Sequence, residues 1–177
     1  IKVVMGTEKK SKKISDKEKK LTAYHEAGHA IATHYLEGQD PVHQVSIIPR
    51  GMAGGYTMSL PSEDKSYRIK SDMLDDIVVL LGGRVAEALV LGDISTGASN
   101  DIERATKLAR AMITRYGMSD AFGLMGLETV ESMYLDGRTV MNCSDQTAAK
   151  VDEEVRKVLK DAYAKAGIPV VSNASAN

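Results

Sequence analysis

Apolar residues recur at three- and four-residue spacing over four stretches of this chain, separated by glycine, proline and polar runs. The first stretch opens with Ser15-x-x-Glu18, a capping box in which each side chain satisfies the other residue's backbone N–H. It predicts a helix to about Glu37, with Gly38 as its stop. Val42 to Ile48 is a β-branched run, Pro49-Arg50-Gly51 turns the chain, and Gly55 to Leu60 reads as a second short strand closed by Pro61. The pair predicts a hairpin, followed by a polar loop from Pro61 to Arg68. A second helix spans about Ser71 to Leu91 and ends at Gly92; a third spans about Asn100 to Tyr116 and ends at Gly117. The apolar face of the third is Ile102, Ala105, Leu108, Ala109, Met112, Ile113 and Tyr116. Ser144 caps a fourth helix to about Ala166, with Val151, Val155, Val158 and Leu159 on one face and Gly167 as its stop. Met118 to Asn142, with several glycines and mixed polarity, predicts a hairpin or an extended arm, and Ser172 to Asn177 a small polar tail. The predicted fold class is mainly α: a helical bundle with a small β-hairpin or sheet beside the first helix.

Gly82, Gly83 and Ala86 interrupt the apolar face of the second helix. Glycine costs about 1 kcal/mol against alanine in a helix interior, so a pair of them predicts close backbone approach to another helix. Gly28 and Ala32 on the first helix offer the matching smooth surface.

Composition narrows the class further. The 177 residues are 43% hydrophobic and 27% charged, ordinary values for one globular domain. A chain of this length buries roughly 70% of its unfolded surface without disulfides or a structural metal. Nine Met, one Phe and no Trp favour helix packing over a β-sandwich. The net charge of −1 carries no footprint for nucleic acid or a membrane surface. The lysine-rich start, with Glu8, Asp16 and Glu18 interleaved, reads as a solvated connector. The single Cys143 excludes an intrachain disulfide, no run has the apolar length of a transmembrane helix, and no G-x-x-x-x-G-K-[ST] phosphate loop occurs.

The chemistry concentrates in His25-Glu26-Ala27-Gly28-His29, an H-E-x-x-H pentapeptide within the first predicted helix. Side chains four apart lie about 40° apart on a helix, one turn above the other, so both imidazoles can reach one zinc ion. Glu26 then stands beside the position of a metal-bound water, the arrangement of a zinc-dependent peptidase. A catalytic zinc usually takes three protein ligands. The extended pattern H-E-x-x-H-x-x-G-x-x-H needs glycine at position 32 and histidine at 35, where this chain has Ala32 and Tyr35. His34 falls about 180° around the helix from His25 and points away, and His43 has no partner spacing. No acid occurs between Asp40 and Glu63, so a glutamate about twenty residues downstream is excluded as well. The third ligand must come from distant acids: Asp72, Asp75, Asp76, Glu87, Asp93 or Asp101. Asp101 stands at a helix start, where free N–H groups favour a carboxylate; there it either binds metal or only stabilises its helix. Glu87, beside the small-residue patch, is the second candidate, or else a helix-face acid paired with Arg84.

Several blocks of the chain resemble the FtsH-type AAA+ zinc proteases. They are Lys9-Lys10-Ser11 to Ile14-Ser15, Leu21-Thr22-Ala23-Tyr24-His25-Glu26-Ala27-Gly28-His29-Ala30, Leu81-Gly82-Gly83-Arg84-Val85-Ala86-Glu87, Ser95-Thr96-Gly97-Ala98-Ser99-Asn100-Asp101 and Arg115-Tyr116-Gly117-Met118-Ser119. They occur in family order over nearly the whole chain. The resemblance implies a helical peptidase domain from a longer polypeptide, in which a membrane anchor and an ATPase module come first. On this reading residues 1–14 are a linker after the ATPase module, 15–167 the zinc metallopeptidase domain and 168–177 a C-terminal tail. The family usually continues beyond this point with further helical residues. The resemblance also implies one zinc per chain with Asp101 as third ligand, and ATP and Mg only in the ATPase module. It further implies a membrane-anchored hexamer, with this domain on the cytoplasmic or equivalent organellar interior side. Such a hexamer threads unfolded or membrane-extracted polypeptides into an enclosed chamber.

The mechanism expected is that zinc, held by His25, His29 and Asp101, lowers the pKa of its water to about 7, and Glu26 takes the proton as that water attacks a peptide carbonyl. The strand Gly55-Tyr56-Thr57-Met58 offers an edge on which substrate adds as a β-strand, unless it is only a hairpin arm. A non-catalytic assembly module with structural zinc is disfavoured by the single cysteine and the retained Glu26. A small-molecule metallohydrolase would need a closed pocket rather than a strand edge.

Overall fold

The computed structural model describes residues 14–49, 54–61, 66–130 and 139–174. The expectations for residues 1–13, the turn at Arg50-Gly51, part of the polar loop and the last three residues lie outside these. Four helices and two short hairpins follow one another: α1 (Asp16–Tyr35), β1 (Val42–Ser46), β2 (Tyr56–Ser59), α2 (Lys70–Ala86), α3 (Ser99–Thr114), β3 (Glu128–Val130), β4 (Thr139–Met141) and α4 (Asp145–Ala174). The mainly α class holds. Two short turns matter for the site: a π-helical turn, Glu87–Leu91, continues α2, and a 3-10 turn, Thr96–Ala98, leads into α3.

The start of α1 is the predicted capping box, with the Ser15 hydroxyl accepting from Glu18 N and Glu18 Oε2 accepting from Ser15 N. Such a cap stabilises a helix by about 1 kcal/mol. The first hairpin pairs antiparallel, Ser46 opposite Tyr56 and Val42 opposite Ser59, with a bulge between Val42 and Gln44. It lies against α1. The second hairpin pairs Glu128 with Met141, one of the two forms expected for the stretch from Met118 to Asn142.

α2 is the central helix and packs against the other three. It contributes Met73, Ile77, Val78, Leu81 and Val85 to the core, against Ala105, Ala109, Met112 and Ile113 of α3 and Val151, Val155, Ala162 and Ala166 of α4. The expected α3 face is too wide at its ends: Ile102 and Tyr116 are exposed. They lie where α3 reaches past its neighbours, and a periodic pattern does not report how long the covering helices are. α4 also departs from expectation, since it runs through Gly167 and Pro169 to Ala174 instead of stopping at Gly167. Ala166 is fully buried and a Cβ on Gly167 would touch Val85, so packing against α2 holds the helix where local propensity would end it. The stop signals Gly92 and Gly117 behave as read, at φ 65° and 61°.

The small residues of α1 and α2 meet as the sequence predicts. A Cβ on Gly28 would lie 2.3 Å from the Gly82 carbonyl oxygen, and one on Gly82 would lie 2.7 Å from that of Gly28. The two backbones are in direct contact. Gly28→Ala should therefore destabilise the fold by about 1–3 kcal/mol, although the same change favours an isolated helix by about 1 kcal/mol. Thermal unfolding reads the sign; a raised Tm would contradict the backbone contact.

Candidate metal centre

The crossing of α1 and α2 decides the orientation of both motif histidines. His29 Nδ1 lies 2.7 Å from the carbonyl oxygen of Val79. A carbonyl only accepts, so Nδ1 carries the proton and Nε2 of the neutral ring keeps its lone pair. His25 Nδ1 lies 2.7 Å from Glu87 Oε1, which fixes the same tautomer. The two Nε2 atoms then face each other at 3.0 Å, and Asp101 Oδ2 lies 3.3 Å from one and 3.4 Å from the other. Among the described residues, these three side chains form the group whose potential ligand atoms all lie within 4.8 Å of one another.

This geometry tests whether a metal fits. Ligand atoms around a tetrahedral zinc stand roughly 3.3 Å apart, given Zn–N distances near 2.0–2.1 Å. The three separations match that spacing. With both rings neutral, three lone-pair atoms converge with no proton between them, a repulsive arrangement that a cation relieves. Without metal, a proton takes that place. Burial works to lower the pKa of His25, but hydrogen bonds to Asp101 and Glu87 and the charges of Asp101 and Glu26 outweigh it and raise it above the ordinary imidazole value. Burial likewise works to raise Asp101, and hydrogen bonds from His25 and His29 with their charges hold it well below the usual carboxylate range.

Small residues make the room. A Cβ on Gly83 would lie 2.6 Å from His25 Cε1 and 2.7 Å from each Nε2, so α2 passes under both imidazoles only because position 83 has no side chain. Asp101 reaches them from the first turn of α3. Glu87 is neither a member of the converging group nor a helix-face acid paired with Arg84. It is wholly buried behind His25, accepting from Ser95 N at 2.8 Å and Ser95 Oγ at 3.0 Å besides the imidazole. Sequence reasoning missed this role because the π-helical turn that starts at Glu87 alters the face it presents. The other acids lie elsewhere: Asp75 pairs with Lys165, and Asp76 with Arg68 and Gln39. His34 and His43 are exposed, and His34 stacks edge-on against Tyr35.

Glu26 is 7% exposed and faces a cleft of about 1000 Å³ that the two histidines, Asp101 and β2 also line. Thr57 Oγ1 lies 2.8 Å from Glu26 Oε2 and 3.0 Å from its backbone oxygen, so this hydroxyl turns inward onto the acid. Gly55 allows the approach, since a Cβ there would meet Ser46 O and Thr22 Cγ2 at 2.7 Å and Glu26 Cγ at 3.0 Å. Tyr56 is buried beside it, while Met58 is half-buried.

Fold and site together define a mainly helical domain built round an H-E-x-x-H metal centre candidate, with a buried acid on an open cleft. The chain belongs to Peptidase family M41, whose pattern matches residues 12–176. It is 57% identical over 168 residues to the ATP-dependent zinc metalloprotease FtsH of Caldicellulosiruptor bescii, covering 93% of this chain and 27% of that protein. It is 58% identical over 165 residues to the ATP-dependent zinc metalloprotease FtsH 2 of Alkaliphilus metalliredigens, covering 92% and 24%. The chain thus spans about a quarter of the length of these curated relatives.

Gly83→Ala tests the site without touching a candidate ligand. The added methyl group should displace both imidazoles and weaken zinc uptake by about 10–100-fold, while the metal-free helix loses nothing in propensity. Zinc titration of the folded variant decides it; wild-type affinity would show that the imidazoles are not held against α2.

Proposed function

We propose that this chain is the proteolytic domain of a longer ATP-dependent zinc protease and hydrolyses peptide bonds of polypeptides laid in the cleft. The observation that carries the reading is the convergence of two imidazole nitrogens and one carboxylate oxygen without a proton among them, one residue away from a buried glutamate on the same cleft. His25, His29 and Asp101 would hold the metal, and zinc bound there supplies a Lewis acid for water and for the scissile carbonyl.

Glu26 takes the proton from the attacking water and delivers it to the leaving amine. Thr57 holds the carboxylate of Glu26 by one oxygen and leaves the other for this transfer. β2 has β1 as its hydrogen-bonded neighbour among the described residues, and its residues line the cleft. Substrate backbone adds along the remaining edge of β2 from Gly55 to Met58, which places a carbonyl near Glu26 whatever the substrate side chains.

No described helix is long and apolar enough to cross a membrane. The anchor, the ATPase module with its ATP and Mg, and hexamer assembly are expectations for the longer protein, supported by the family resemblance and by the ATP dependence in the relatives' names. In that setting the domain works on unfolded or membrane-extracted polypeptides, on the cytoplasmic or equivalent organellar interior side of the anchor.

A short fluorogenic peptide tests the domain without a motor. Glu26→Gln should keep about one zinc per chain and lose about 10²–10⁴-fold in kcat. Asp101→Ala should lose both zinc and activity. A fully active Glu26→Gln variant would overturn the mechanism, and full zinc retention by Asp101→Ala would overturn the ligand set.

A further inference from the structure

The segment between the π-helical turn and α3 delivers Asp101 to the imidazoles, and Ser95 is the point at which it is gripped. Its N–H and hydroxyl donate to Glu87 at 2.8 and 3.0 Å, while its carbonyl accepts from Arg84 Nη2 at 2.7 Å. Ser95 Oγ also accepts from Gly97 N at 3.1 Å, which caps the 3-10 turn Thr96–Ala98. That turn passes without a break into α3, and Asp101 follows in the first turn of that helix. Arg84 has its Nε buried without a hydrogen bond, and among the described residues its acceptor is the Ser95 carbonyl. A guanidinium is seldom held inside a protein for a single backbone bond, because its desolvation is costly. What that bond secures is the loop.

The geometry assigns Arg84 and Ser95 as positioning residues for the metal centre. One carboxylate, Glu87, orients His25 and holds Ser95 at the same time, so His25 and the Asp101 segment are referred to a common group. Arg84 closes the grip from the carbonyl side, one turn earlier on α2. A ligand delivered by a loose loop must be ordered at the moment of binding, and that cost appears directly as weaker metal affinity. The inference rests on the metal reading above and names the part of the chain that sets affinity at that site.

The test compares the wild type with Arg84→Met, Arg84→Lys and Ser95→Ala in the full chain. Zinc affinity is read by competition with a chromogenic chelator, ligand geometry by the visible spectrum of the cobalt(II) form, and folding by melting of the metal-free protein. Arg84→Met should weaken zinc about 10–100-fold with an altered cobalt spectrum, and Arg84→Lys should recover part of the loss. Ser95→Ala, which keeps the backbone bonds, should cost roughly 2–10-fold. Metal-free melting should stay near the wild type for Ser95→Ala, so this variant decides if Arg84→Met fails to fold. Wild-type affinity and spectrum in both Ser95→Ala and Arg84→Met would overturn the assignment, as would a loss that only tracks the unfolded fraction. A wild type that bound no zinc would overturn the metal reading itself, and the assignment with it.

Discussion

Where Gly28 faces Gly82, the backbones of α1 and α2 touch with no side chain between them, and the site is assembled from what that contact brings together. Val79, Gly83 and Glu87 lie four residues apart along α2, on the stripe beside the contact. They meet His25 and His29, also four apart, on α1. The carbonyl of Val79 orients one imidazole, the carboxylate of Glu87 orients the other, and the missing side chain of Gly83 leaves space for both. Any side chain at the crossing would push the helices apart by a distance comparable to the reach of a hydrogen bond. Both 2.7 Å contacts to the Nδ1 atoms would then be lost together.

Three carboxylates stand round the imidazoles, and their surroundings separate their roles. Asp101 is aimed at both Nε2 atoms, at the concentration of lone pairs where a cation is needed. Glu87, fully buried, has three donors on its two oxygens and serves to orient them. Glu26 faces the cleft with one oxygen on Thr57, which leaves it able to exchange a proton. Residue type alone does not distinguish these roles; the number of donors and the access to the cleft do.

The helical class, the capping box, the first hairpin and the smooth faces of α1 and α2 were all legible in the pattern of residues, because each rests on local geometry or fixed periodicity. The end of α4 was not legible. Gly167 and Pro169 are stop signals by propensity, and burial of Ala166 against the core overrides them. Glu87 was legible as important but not for its task, since an ideal α-helical period does not place it behind His25. The π-helical turn and the fold-back of Ser95 do.

By itself the sequence determined the chemistry available: two imidazoles one helical turn apart, an acid beside the first, and glycines that demand close helix packing. It determined these because spacing along a helix is a short-range property, set by the backbone whatever surrounds it. The tertiary structure alone decided which distant acid completes the group and which one supports it. Asp101 and Glu87 both lie far from His25 along the chain, and only the crossing of α1 and α2 with the Ser95 loop turns sequence distance into contacts of 3.3 and 2.7 Å. Such contacts depend on the packing of whole helices, and no local rule of spacing contains that information.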